Sequence, residues 1–262
     1  MNMAKTKPGR LQSLQGIERN ARQKMDALEL LGKLPDRIAS VVCLDPQYRT
    51  GLDQLNYGNE GARQQERAKL PQMTDETIIE IVKESERILR PSGYFFLWCD
   101  KFAIGSGQHL KYLHPISRYM RVVDLIVWNK MDIGMGRRAR CVTEFLVIVQ
   151  KEPVRAKGTW TDHRIADCWH EGRNPERHPH AKPHVLMERL IRAVTVKGDL
   201  IVDPCAGGYG VLDACILSGR EFIGGDVEAD GTELRDRGVS CAGAGGKAAA
   251  TLRAAETKRR RR

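Results

Sequence analysis

No stretch of eighteen consecutive apolar residues occurs anywhere in this 262-residue chain, so no membrane-spanning helix is expected. The seven cysteines are odd in number and form no CxxC pair. That pattern excludes a disulfide scaffold and fits a reduced, cytoplasmic protein. The basic start, Met1 to Lys7, is not followed by an apolar segment, so no secretory signal is read there. The GxGxxG fingerprint is missing, which disfavours a dinucleotide-dependent oxidoreductase. Acids are the scarcer charge: 33 Asp and Glu stand against 43 Lys and Arg, a formal net charge of +10. About half of that excess falls between Arg253 and Arg262. A basic balance favours polyanionic partners, nucleic acid above all, although the terminal arginines alone equally suit a solvated tail.

What is present reads as alternating strands and helices. Ile17, Ala21, Met25, Leu28 and Leu31 recur at helical spacing and predict a helix ending at Gly32. Ile38–Leu44 is a continuous, β-branched run, the mark of a buried strand. Arg49 to Met73 is polar and without period, which reads as a lid or binding loop. Thr74-Asp75-Glu76 caps a helix that Pro91-Ser92-Gly93 stops, and Tyr94–Cys99 is a second strand. Val122–Trp128 and Glu144–Val149 are two more, joined by a Gly- and Arg-rich connection. Lys151 to Pro179 carries Trp160 and Trp169 and reads as an inserted lobe or extended loops. An amphipathic helix over Pro183–Val196, the strand Leu200–Val202, a helix over Val211–Leu217 and the strand Phe222–Asp226 complete the pattern. Such alternation predicts an α/β fold with a parallel-rich sheet and ligand loops at the strand C-termini.

Three segments carry chemistry. Asp45-Pro46-Gln47-Tyr48 follows the first strand directly. A carboxylate, a carbonyl fixed in a turn and an aromatic ring suit a flipped nucleobase that presents an exocyclic amine; alone, the tetrapeptide also suits an acidic turn. Asp203-Pro204-Cys205-Ala206-Gly207-Gly208-Tyr209-Gly210 opens a strand-to-helix turn where glycines admit a ligand close to the backbone. Asp226, at the end of the next strand, can take both hydroxyls of a ribose. His178-Pro179-His180-Ala181-Lys182-Pro183 lies one helix upstream, and Lys182 can hold a ligand carboxylate or belong to ordinary helix entry. Cys168, His170, His178 and His180 are too irregularly spaced for a zinc site, and no metal is expected.

In that order, the three segments resemble the S-adenosylmethionine-dependent, amino-methylating DNA methyltransferases of the circularly permuted beta class. The likeness runs from about Asp26 to Glu228 and takes in Val127–Lys130 and Arg140–Gln150 around Glu144. It implies a Rossmann-like methyltransferase fold: a seven-stranded, mostly parallel sheet with helices on both faces and a small inserted target-recognition region. It implies a catalytic domain over 16–230, flanked by a basic arm at 1–15 and a basic, Ala/Gly-rich tail at 231–262. Catalysis falls to Asp45, Pro46 and Tyr48, the ring of Tyr48 stacking on the flipped base. Asp203, Pro204, Cys205, Ala206, Gly207, Asp226, Lys182 and His180 would hold S-adenosylmethionine. Arg49, Arg137, Arg138 and Arg140 would meet double-stranded DNA, from a lid at 49–73 and a recognition region at about 134–176. So small a reader suggests a homodimer on a short palindrome, in a bacterial or bacteriophage setting. An acid at the first catalytic position favours adenine N6; cytosine N4 and a non-catalytic DNA-binding module are the alternatives. The catalytic turn and the cofactor loop both depart from the family pattern, the loop carrying Cys205, Gly208 and Tyr209 where the family usually has Phe, a small polar residue and Gly. Gln47 replaces a second proline and could loosen the turn, and the bulk of Tyr209 must point away from the cofactor loop or reshape it.

Overall fold

The computed structural model describes residues 14, 16–47, 73–134, 138–173 and 181–229. Tyr48, Arg49, Arg137, His180, all but one residue of the expected lid, and the 231–262 tail lie outside the described residues. Seven strands form one sheet: β1 (Ala39–Leu44), β2 (Leu89–Cys99), β3 (Met120–Asn129), β4 (Thr143–Lys151), β5 (Cys168–His170), β6 (Leu200–Asp203) and β7 (Glu221–Gly224). Their order is β5-β3-β4-β2-β1-β6-β7. β4 runs antiparallel to both of its neighbours and every other pairing is parallel, so six strands share one direction.

Helices pack on both faces. α1 (Ala27–Gly32), α2 (Asp75–Ile88), α3 (Lys101–Gly105) and α4 (Gln108–Leu113) share a core with one face, whereas α5 (His184–Val194) and α6 (Gly210–Ser218) share a core with the other. The sequence explains α2 well. The Thr74 side chain accepts from Thr77 N, Asp75 and Glu76 sit in the first turn, and Ile78, Ile81, Val82, Ser85 and Ile88 are buried at helical spacing.

Two elements differ from the sequence expectation. The helix predicted from Ile17 begins only at Ala27, with Asp26 as its cap. The residues before it form a strap along the end of β7: Asn20 N bonds Phe222 O, Asp226 N bonds Gln23 O, and Met25 N bonds Asp226 O. Sheet-edge hydrogen bonds took these backbone groups, and apolar spacing alone does not reveal that competition. Pro91-Ser92-Gly93 lies inside β2 rather than before it. A register shift between Ala39 and Val41 absorbs it, and Gly93 is required because a Cβ there would stand 2.9 Å from Arg90 O and 3.1 Å from Ser40 O. Gln150 Nε2 and Ser92 Oγ then tie this bend to neighbouring carbonyls.

The described part of 151–179 packs along the sheet. Trp160 packs tilted against Tyr94 at 6.1 Å, Thr161 bonds Ala193 O through its N–H and hydroxyl, and β5 adds an edge strand beside β3. Among the described residues no helix is long and apolar enough to cross a membrane.

One topological fact places the site. β1 connects to β2 through α2 on one face; β6 connects to β7 through α6 on the other. β1 and β6 are neighbours, so the connections diverge there and leave a crevice at the carboxyl ends of these strands.

Candidate active site

Asp45 leaves β1 and Asp203 ends β6, and the parallel pairing of Val41 with Ile201 and Val42 with Val202 brings both to the same edge. Between them opens a cavity of about 440 Å³. Its wall holds six carboxylate residues (Asp26, Asp45, Asp203, Asp213, Asp226 and Glu228) against the cations Arg22 and Lys182. In a chain whose formal net charge is +10, that concentration of acid marks a site for a positively charged ligand.

Asp203 is buried, and burial first of all, then the nearby charges of Asp45 and Asp226, push its carboxyl up to about 8 against the opposing hydrogen bond from Cys205 N. Asp226 braces the loop: Oδ2 accepts from Gly207 N at 3.0 Å and Oδ1 from Glu228 N at 2.9 Å. Gly207 has φ 47°, a conformation that glycine adopts without strain. Pro204, Cys205 and Ala206 line the cavity with it. Burial raises the Cys43 and Cys205 thiols well above the usual range, so neither is poised as a thiolate nucleophile.

Tyr209 does point away. Its side chain is buried, edge-on to Phe222 at 6.2 Å, and its hydroxyl donates to Gln23 O at 2.9 Å while accepting from Gln23 N at 3.2 Å. It fastens the strap to the glycine loop, at the cost of a left-handed backbone (φ 58°) in a non-glycine residue. Gln47 O accepts from Met73 N at 2.9 Å, so the turn after Asp45 is tied to the start of α2.

Lys182 lines the cavity but is turned toward Asp45. Its ammonium lies 2.8 Å from Asp45 Oδ2 and 2.8 Å from Glu144 Oε2, over the ring of Trp98. Burial opposes its charge, yet the two carboxylates outweigh burial and hold its pKa above that of ordinary lysine. Glu144 starts β4; because β4 alone is reversed, its beginning lies at the edge where β1 ends. Burial would raise the Glu144 carboxyl, but Lys182 and Lys130 bring it down to about 2. Sequence reasoning placed Glu144 only inside a similar segment and did not single out Arg22 or Trp98. Arg22 lies over the Tyr209 ring at 5.2 Å, on the strap that was read as helix. Pro46 is buried behind Asp45, and Arg138 and Arg140 are exposed on the β3–β4 connection.

The pattern of the DNA methylase family matches residues 39–234. Over 209 residues the chain is 46% identical to the type II methyltransferase M.HhaII of Haemophilus parahaemolyticus, covering 79% of this chain and 91% of that one. The chain belongs to the DNA methylase family. Solved structures share the fold of this methylase: the cytosine-N4-specific PvuII DNA methyltransferase has a TM-score of 0.61 at 16% identity, over 82% of this chain and 86% of that one. The M1.HpyAVI–SAM complex has 0.55 at 19%, over 80% and 95%. The methylase acts on DNA with S-adenosylmethionine as methyl donor. The residues present fit that donor, because the acidic cavity suits its sulfonium and ammonium, and Gly207 admits it against the backbone.

Proposed function

We propose that this DNA methylase transfers the methyl group to the exocyclic N6 amine of an adenine flipped out of double-stranded DNA. The observation that carries the reading is Asp45: an ionisable acid at the end of β1, on the cavity wall, held by Lys182. The Asp45 carboxylate and the Pro46 carbonyl accept hydrogen bonds from the two amine hydrogens. This draws the nitrogen lone pair out of ring conjugation and aims it at the cavity. Bound S-adenosylmethionine supplies an electrophilic methyl group there. Asp203, the 204–207 loop and Asp226 hold the donor, so orientation and electrostatics supply the rate. The closing C–N bond displaces the thioether, and the nitrogen then sheds a proton to water.

Tyr48 stacks on the base in this reading, and exposed Arg138 and Arg140 meet phosphates. Two protomers act on one short palindrome in the bacterial cytoplasm. Methyl-labelled S-adenosylmethionine and unmethylated bacterial DNA test the reaction, with digestion to nucleosides afterwards. N6-methyl-2′-deoxyadenosine is expected; N4-methyl-2′-deoxycytidine would overturn the adenine assignment. An Asp45→Ala protein is expected to bind the donor and lose transfer by about 100- to 1,000-fold, the scale of removing one transition-state hydrogen-bonding group. Unchanged transfer would remove Asp45 from catalysis.

A further inference from the structure

The Lys182 ammonium is already held by two carboxylates of the protein. It reaches Asp45 Oδ2 and Glu144 Oε2, each at 2.8 Å, and its remaining side faces the Trp98 ring, 5.2 Å from the centroid. Among the described residues, both of its ion pairs are to the protein's own carboxylates. Glu144 is equally committed, with Oε1 3.2 Å from Lys130 Nζ. The four groups alternate in sign along Lys130, Glu144, Lys182 and Asp45, so two cations balance two anions with no net buried charge.

The ends of this chain differ in rigidity. Glu144 and Lys130 stand where β3 and β4 pair, and Trp128, opposite Glu144, is buried edge-on to Trp98 at 5.9 Å. Asp45 lies past the end of β1 in the turn toward Gln47, with its side chain 39% exposed. A carboxylate so placed needs an outside constraint to present one oxygen in a fixed direction. We propose that Glu144 is a positioning residue for methyl transfer: through Lys182 it fixes the Asp45 carboxylate on the cavity wall, where that carboxylate accepts from the target amine. Lys182 therefore serves the accepting carboxylate and not the carboxylate of the donor. This rests on the reading of Asp45 as the amine acceptor.

The test uses the full chain and three readouts: kcat for transfer to DNA, Kd for S-adenosylmethionine, and thermal unfolding. Glu144→Gln keeps the shape and removes the charge. Its kcat is expected to fall about 100-fold, the scale of a misplaced reacting group, while donor Kd stays within about twofold. Should Glu144→Gln fail to fold, Lys182→Met, which leaves Glu144 paired with Lys130, is expected to give the same division between kcat and Kd. An unchanged kcat, or a loss confined to donor affinity, overturns the proposal and returns Lys182 to the donor carboxylate. Absence of transfer by the wild-type protein would instead strike the functional reading beneath it.

Discussion

Asp203 shows how much a single residue's chemistry depends on what surrounds it. With its carboxyl pushed up to about 8, it is mostly protonated at neutral pH. With Asp203 holding the donor as proposed, the cationic donor favours its ionised form, so binding is expected to release a proton at pH 7 and donor affinity to rise with pH until about 8. Calorimetry in buffers of different ionisation enthalpy reads the proton directly; identical heats would sink the idea. The same shift has a stability consequence. A carboxyl raised in the folded state stabilises it fully below the ordinary value of 3.8 and progressively less as pH climbs through about 8. The donor-free melting temperature should decline across that window. Asp203 and Asp45 were legible in the sequence because each follows an apolar run directly. The grip of Glu144 on Lys182 was not, because the two lie 38 residues apart and meet only through the reversal of β4.

At the scale of elements, the strap before α1 is the best example of a pattern overruled by packing. Its apolar spacing suits a helix, yet Gln23 spends its backbone on Asp226 and Tyr209 and its amide on Gly224 O at 2.9 Å. A single sequence does not show where such partners lie. The strap also forms part of the cavity wall through Arg22, Met25 and Asp26. Tyr209→Phe removes both hydroxyl hydrogen bonds and is expected to cost about 1–2 kcal/mol in urea unfolding. Donor affinity should weaken with it, because strap and glycine loop are fastened at that point; wild-type stability would show that the edge-on packing on Phe222 suffices. β5 was equally invisible: three residues within a polar stretch give no period to read, whereas α2 and β1 declared themselves through caps and continuous apolar runs.

At the scale of the whole molecule, a chain of formal net charge +10 meets a polyanion while its cavity holds six carboxylate residues, so salt should act on the two ligands differently. DNA affinity is expected to fall steeply with salt, and replacing Arg138 or Arg140 by alanine should lower the log–log slope by about one per lost phosphate contact. Donor affinity should be unchanged in either variant; a slope that does not move would take these arginines off the DNA. The fastening of Tyr209 to Gln23 also has an evolutionary reading. Both hydroxyl bonds go to the backbone of residue 23, so they fix the path of the chain there whatever side chain it carries. Among relatives, a glycine at position 209 should therefore accompany a rerouted or missing strap, and an aromatic residue there should accompany a retained one. An alignment of the family would hold that record as a coupled gain and loss, one side chain against one stretch of backbone.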